Sequence, residues 1–498
     1  MSTETHTETA DSSSGFVKAL SLTDATMLVA GSMIGSGIFI VSADIGRTVG
    51  SPLWLLLAWV AAGVVTLMGA LTFGELAAMY PRAGGQYIFL REGLNPLMGF
   101  LYGWTLFVVI QTGTIAAVAV AFGRFLGVLW PAITPDRFSW FPRADVCVGA
   151  LGCHDPANAI QLGLTPQRLV ALVTIWILTW INLRGVKEAK WVQTTLTIIK
   201  TGALALLIIL GLTIGRHASA VAANFGAGNF NTSDVSAAFM IAFGAAMVGS
   251  LFSSDAWNNV TFAAAEVKNP QRNLPRALLY GTGLVSLLYI LANISYLNVL
   301  PLHGVKDGAD VLSRGIQFAT QDRVAAAVME TMFGAVGATI MASAILISTF
   351  GCNNGLILSG ARVYYAMAKD RLFFHKAGTL NKNHVPATAL VVQSIWTSLL
   401  CLTGTYGQLL NYVIFAALLF YAATTFGLFR LRATRPDAER PYRVIGYPVL
   451  PALYIVLTST IAVALVISDK TRSEAVSGLV LVAIGVPVYF LWRKTEAV

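Results

Sequence analysis

The chain has 498 residues, of which 56% are hydrophobic and only 11% charged. A soluble globular chain carries about a quarter charged residues, so most of this surface lies in lipid and a soluble fold is excluded. The net charge of +9 is spread between apolar segments instead of gathering on one soluble face, which excludes a nucleic-acid binder.

Residues 1–20 begin with a Ser-, Thr- and Glu-rich stretch that predicts a disordered cytoplasmic tail. The basic-then-apolar order of a cleaved signal peptide is missing from it. Twelve apolar segments follow: 24–46, 52–78, 96–127, 167–184, 190–214, 235–263, 276–301, 330–367, 387–405, 408–432, 446–468 and 475–493. Each reaches the roughly 17–25 residues that a helix needs to cross a bilayer. The loops between them leave no room for a soluble domain. The spans lay out as two five-helix halves, 21–215 and 216–432, with residues 433–498 holding the last two helices and a short tail. Five is odd, so the halves have opposite topology. With the N-terminus inside, 21 of the 33 Lys and Arg lie on the cytoplasmic side, 11 on the other, and Lys200 in the membrane. That bias sets the orientation. In the loop after span 2, Tyr80 to Tyr87 predicts a short helix along the cytoplasmic face. Residues 131–165 read as an irregular outer loop. Its Cys147 and Cys153 are spaced for a small disulfide loop and equally for two free thiols. Cys352 and Cys401 fall in spans as packing residues.

Two spans carry interruptions. Span 1 reads Gly31-Ser-Met-Ile-Gly35-Ser36-Gly37, and span 6 reads Phe252-Ser253-Ser-Asp255-Ala-Trp257-Asn258-Asn259. Small and polar residues halfway through a span free main-chain groups that lipid cannot satisfy. Paired breaks in two halves are the best pointer in a sequence to a secondary-transporter site. Unwound, Gly35, Ser36 and Gly37 would present N–H donors and a hydroxyl to a carboxylate at the positive end of a half-helix. The competing reading of Gly31-x-x-x-Gly35 is close helix packing through small residues. In span 6, a mid-membrane Asp255 costs about 2.5–3.5 kcal/mol on insertion scales, so it needs a wet cavity or a cation. Carbonyls freed nearby could hold an ammonium group. Phe252 and Trp257 could cover a ligand, or pack as ordinary apolar rings.

Lys200 sits mid-span and too deep to snorkel easily, so it is expected to contact carbonyls or a carboxylate inside the bundle. Asp24 lies behind Ser21 as part of a helix cap. Glu75 and Glu266 lie near cytoplasmic span ends, where ion pairing fits better than proton transfer. The six histidines are scattered, so neither a metal cluster nor a catalytic triad can be assembled. No enzyme, metal or cofactor is called for.

With these residues the chain resembles the amino acid–polyamine–organocation transporters, within them the L-type amino acid transporter branch. The marks are Gly31 to Phe39, Pro81 to Tyr87, Phe252 to Asn258, Glu266 to Pro275, Gly360 to Tyr365 and Arg440 to Arg443. The resemblance covers about residues 20–495. It implies an all-α membrane protein with twelve transmembrane helices: a five-plus-five inverted repeat (the leucine-transporter-like fold) plus two C-terminal helices. It also implies an L-α-amino acid held between broken spans 1 and 6. Ile34, Gly35, Ser36 and Gly37 would take the carboxylate. Carbonyls of Phe252, Ser253 and Asp255 would take the amine, with Asn258 beside it. Phe252 would close the site, with Trp257 as a second gate residue. Lys200 would stand where sodium-coupled relatives hold a cation, which implies sodium-independent exchange or uniport in a bacterial cytoplasmic membrane. Asp255 leaves small neutral and cationic substrates both open. Animal members pair with a glycoprotein heavy chain through an outer-loop cysteine; the composition here looks bacterial, so no such partner is expected. A proton-coupled symporter, with Glu75, Asp255 or Lys200 as relay, is the alternative. A non-transporting receptor would want a long signalling domain.

Overall fold

A computed structural model describes residues 15–133, 144–146, 160–226, 235–403 and 406–495. Its first apolar segment is two helices, α1 (Leu22–Met33) and α2 (Ser42–Val49). Ser21 caps α1 in a capping box with Asp24, each satisfying the other's main-chain N–H. Gly50, in the left-handed conformation at φ 58°, ends α2. Long helix α3 (Pro52–Met79) follows, entered through a proline at its first position.

The loop after α3 forms α4 (Gln86–Gly93). The sequence predicted a helix lying on the membrane face, but Gln86, Tyr87, Ile88, Phe89, Leu90 and Gly93 are all buried. The helix is drawn inward because Gly84 and Gly85, both at positive φ, let the chain approach the broken sixth span. A Cβ on Gly85 would lie 2.3 Å from Thr261 Oγ1. The third span is α5 (Pro96–Thr105) and α6 (Gln111–Leu129), joined by a π-helical turn at Leu106–Ile110. Between α6 and the next long helix a short antiparallel pair, β1 (Ala144–Val146) and β2 (Ile160–Leu162), is the only sheet among the described residues. Cys147 and Cys153 lie outside the described residues, so their pairing stays open.

Next come α7 (Pro166–Arg184), α8 (Val186–Leu212) and a short α9 (Ala218–Phe225). The sixth segment is α10 (Ala237–Ser253), a break, and a single turn α11 (Asn259–Phe262). Then follow α12 (Pro270–Val299), a turn α13 (Val311–Arg314) and α14 (Val324–Lys369), which kinks at Gly334 (φ 62°). The chain finishes with α15 (Ala387–Thr403), α16 (Tyr406–Thr434), α17 (Val449–Ile467) and α18 (Arg472–Thr495). Nine helices among the described residues are long and apolar enough to cross a membrane, and α10 and α15 are shorter apolar helices. The broken first segment reaches that length only when its two pieces are joined. The architecture is all-α and multi-pass.

α1 lies at the centre, packed on α8, α12 and α14. Of the expected tail, residues 15–20 are described and lie against the bundle. Phe16 is fully buried beside Ala265 and Tyr365, and Leu20 bridges Val267 through Leu20 N–H to Glu266 O (2.9 Å) and Lys268 N–H to Leu20 O (2.8 Å). An apolar residue seated in the core orders what composition alone would leave loose.

The two carboxylates expected to pair do so. Glu75 accepts from Arg432 (2.9 and 2.6 Å) and from the Val444 amide (2.8 Å), with Arg440 at 3.4 Å. Glu266 Oε1 accepts from Arg362 Nε and Nη2 (3.1 and 2.9 Å), both side chains 1% exposed. Removing one partner of a buried pair strands the other charge and costs about 3–5 kcal/mol. Glu266→Gln is expected to lower the thermal melting midpoint of the detergent-purified protein sharply, while Glu266→Asp retains part of the loss. A melting curve superimposable on wild type would show that Arg362 does not depend on this carboxylate.

Candidate functional site

The first break runs from Ile34 to Val41. The Ile34 N–H still closes on Ala30 O (2.9 Å), and helical bonding resumes as a 3₁₀ turn with Phe39 N–H to Ser36 O (3.1 Å). Glycine, serine and glycine in succession make this stretch poor helix. Its loose carbonyls are met by side chains from three other helices. Lys200 Nζ on α8 donates to Gly31 O (2.5 Å), Ile34 O (2.7 Å) and Ser348 O (3.3 Å). An ammonium has three N–H donors and no acceptor, and three carbonyls receive them. Ser348 Oγ on α14 donates to Ile34 O and Gly35 O, each at 3.1 Å. The Cys352 thiol lies 3.0 Å from Ser32 O. Gly31 serves both readings of the glycine pair. Its carbonyl receives Lys200, and a Cβ there would strike Gln193 Nε2 at 2.2 Å.

The second break covers Ser254 to Asn258. Ala256 sits at φ 62°, where a residue with a Cβ costs about 1–2 kcal/mol. The two breaks meet. A Cβ on Gly37 would lie 2.1 Å from Ser253 Oγ and 3.0 Å from Ser253 Cα. The Tyr289 hydroxyl, on α12, lies 2.9 Å from Met33 O and 3.1 Å from Ser253 O and ties both broken helices together.

Other predicted site residues fall around this junction. Ser36 is fully buried and Phe252 nearly so. Asn258 donates to Gln86 Oε1 (2.7 Å), and Gln86 in turn donates to Thr424 Oγ1 (3.0 Å), linking the second break to α4 and α16. Asp255 accepts from the Tyr421 hydroxyl. Its carboxylate lines a cavity of about 20 Å³ together with Thr66, Ser254, Trp257 and Tyr454, space for one water. Trp257 is wedged against Phe73 and Tyr421, with ring centroids 4.8 and 5.5 Å away.

Two details differ from the sequence expectation. Ile34 frames the break but donates nothing to it, because its N–H is spent on Ala30. The Tyr289 hydroxyl lies 3.1 Å from the Ser253 carbonyl, and Phe252 O is met by the Asp255 amide (3.2 Å) and the Ser254 amide, so both carbonyls expected to take the amine have partners within the protein. Sequence reasoning missed Tyr289, Ser348, Tyr421 and Gln86. The available signal was a hydroxyl or amide within an apolar span, since such groups find a partner when buried.

A sequence model of the family described as "Amino acid permease" matches residues 20–489. The serine/threonine exchanger SteT of Bacillus subtilis (strain 168) is 29% identical across 99% of this chain and 100% of its own length. The b(0,+)-type amino acid transporter 1 of Rattus norvegicus is 28% identical, covering 95% of this chain and 88% of that protein. The large neutral amino acids transporter small subunit 2 of Homo sapiens is 30% identical over 95% and 80%. The chain therefore belongs to the amino acid permease family.

The contact of the two breaks carries a direct test. Gly37→Ala is expected to force the broken helices apart and cut substrate uptake by at least tenfold with normal expression. Adding Ser253→Ala removes the nearest clash and should restore part of the flux. If the single variant transports normally, the breaks do not touch as described.

Proposed function

We propose that this member of the amino acid permease family moves L-α-amino acids across a bacterial cytoplasmic membrane by alternating access, as a sodium-independent exchanger or uniporter. The observation that carries this reading is the Lys200 ammonium seated on three main-chain carbonyls between α1 and α14. A fixed cation there holds the broken helix together as a bound metal ion would, so no ion need be co-transported to fill the seat. The serine/threonine exchange for which SteT is named supports exchange and small hydroxylated or neutral substrates.

In this reading the amides of Gly35, Ser36 and Gly37 and the Ser36 hydroxyl receive the α-carboxylate, assisted by the positive end of a half-helix. The carbonyls of Phe252, Ser253 and Asp255 receive the ammonium. Phe252 closes over the substrate, while Trp257 braces Asp255 and Tyr421 from behind. Asn258, held by Gln86, fixes the end of the second break. Both termini face the cytoplasm, following the distribution of Lys and Arg. Residues 21–215 and 216–432 act as the two inverted halves, with the last two spans outside them.

Proton-coupled symport is the second reading, and one feature favours it: Asp255 is a buried carboxylate beside a cavity of water size. Glu75 is a poor relay, since two arginines and an amide already hold it.

Counterflow in proteoliposomes separates the two. Internal serine is expected to accelerate uptake of labelled serine several-fold without sodium, whereas an inward proton gradient alone should drive none. Accumulation driven by the gradient would replace exchange with symport. Lys200→Ala should abolish counterflow while leaving a monodisperse protein, and sodium should not be needed by the wild type.

Asp255 governs side-chain selectivity in this scheme. Asp255→Ala should weaken arginine binding by tenfold or more and serine binding by less than threefold, measured by scintillation proximity. Equal losses for both would remove the carboxylate from selectivity.

A further inference from the structure

Helices α16, α17 and α18 do not close against one another along their whole length. Between them lies a groove of about 370 Å³ lined by Phe415, Leu418, Ala422, Ala462, Val466 and Leu479 among others. Small side chains at Ser459, Ala422 and Ala462 make the gap, and its rim is bare, with Val463 55% and Leu479 50% exposed. The groove follows α17 from Ser459 to Ile467, a length of about 12 Å at about 1.5 Å rise per residue. One leaflet's share of the hydrocarbon core is about 15 Å.

What stands at the mouth selects an occupant. The turn between α17 and α18 places Arg472 directly over the end of the groove. Its Nε and Nη2 donate to Val466 O (3.2 Å) and Ile467 O (2.6 Å), the carbonyls of two lining residues. Its Nη1 pairs with Asp469 at 2.9 Å. A guanidinium has five N–H donors, so at least two remain for an oxyanion. Asp469 is 92% exposed, with carboxylate oxygens available to an ammonium. Neighbouring Lys470 is committed elsewhere, to Asp44 and Thr48 of α2. The mouth thus offers one cation and one anion side by side, with no net charge to attract an anionic headgroup.

We propose that this groove is a binding site for one diacyl phospholipid with a zwitterionic, primary-amine headgroup. An acyl chain fills the apolar channel, the phosphate takes the free N–H groups of Arg472, and the ammonium takes Asp469. The site has a structural consequence. Leu418 forms part of its wall and also lines the small cavity beside Asp255, so an acyl chain in the groove buttresses the back of the second break. The assignment does not depend on which substrate the protein carries.

The test is native mass spectrometry of the delipidated, full-length protein titrated with phosphatidylethanolamine, with phosphatidylglycerol and soluble phosphoethanolamine as comparison arms. The wild type should retain one phosphatidylethanolamine at least tenfold more tightly than phosphatidylglycerol, and should not retain phosphoethanolamine. Ala462→Phe, from the buried wall of the channel, and Ser459→Phe, from its exposed rim, should each weaken that lipid at least tenfold. Val456→Phe, on the exposed face of the same helix outside the groove, should bind as wild type does. Arg472→Gln should erase the preference over phosphatidylglycerol. Wild-type binding by both channel-filling variants, or equal loss in Val456→Phe, would overturn the site as ordinary lipid contact. Equal affinity for the two lipids in the wild type would overturn the headgroup assignment.

Discussion

A main chain that unwinds inside a membrane must find its hydrogen-bond partners within the protein, because lipid supplies none. In the first break this requirement decides what surrounds it. Carbonyls of Gly31, Met33, Ile34 and Gly35 find partners on three other helices: Lys200 on α8 donates to Gly31 and Ile34, the Tyr289 hydroxyl on α12 lies 2.9 Å from Met33 O, and the Ser348 hydroxyl on α14 lies 3.1 Å from Gly35 O. Those are the three long helices packed on α1. An orphaned buried carbonyl costs about 1–3 kcal/mol, so losing these partners together would cancel a large part of a domain's net stability of about 5–15 kcal/mol. The centre of the bundle is therefore polar by necessity.

The same constraint separates what could be read in the sequence from what could not. The first break was legible because Gly35, Ser36 and Gly37 have no reason to stand together in a span other than close packing or unwinding. Lys200 was legible because an amine that deep has few physical options. The second break was legible from Asp255 and its asparagines, but its sharpest backbone feature was not. Ala256 at positive φ is chosen by the surroundings against its own preference, so the residue type gives no warning. Tyr289 and Ser348 were hidden for another reason. A tyrosine or serine in a span has several tolerable fates, and only the three-dimensional path of α12 and α14 brings these two to bare carbonyls. The extent of the N-terminal tail failed on composition. The polar opening masks Phe16, one ring whose burial is enough to order the residues that follow it.

Segments that looked like separate sequence features turn out to be halves of contacts. Gln86, from the glycine-rich loop after α3, orients Asn258 in the second break. Glu266, just past that break, meets Arg362 in the far part of α14. Trp257 fills the space left by Gly69, whose Cβ would lie 2.9 Å from its ring. The short turn α11 is consequently gripped from α3, α4 and α14. A four-residue helix has almost no stability of its own, so its position is set by those neighbours, and any rearrangement of them is passed to the break it adjoins.

The two pieces of the first span are held by different kinds of contact. α2 is held through Arg47 to Asp322 (2.6 Å), Lys470 to Asp44 (2.9 Å) and Gln317 to the Gly46 carbonyl (3.0 Å). Its two ion pairs are partly or well exposed, a setting in which such pairs contribute about 0.2–1 kcal/mol each and weaken with salt. α1 is held by main-chain bonds from Leu20 to the Glu266–Lys268 turn, by Lys190 on Asp24 (2.9 Å) and on Ala19 O (3.0 Å), and by the buried Phe16 ring. A fully buried Phe side chain alone contributes about 1.5–3 kcal/mol. α2 also buries Ala43 and Ile45 completely and donates from Ser42 Oγ to Asn293 Oδ1 (2.6 Å), so freeing either piece exposes apolar side chains. The hinge between them is the stretch whose carbonyls Lys200 and Ser348 hold. Both pieces are therefore anchored by buried side chains, and the α2 end adds partly exposed ion pairs whose contribution falls with salt.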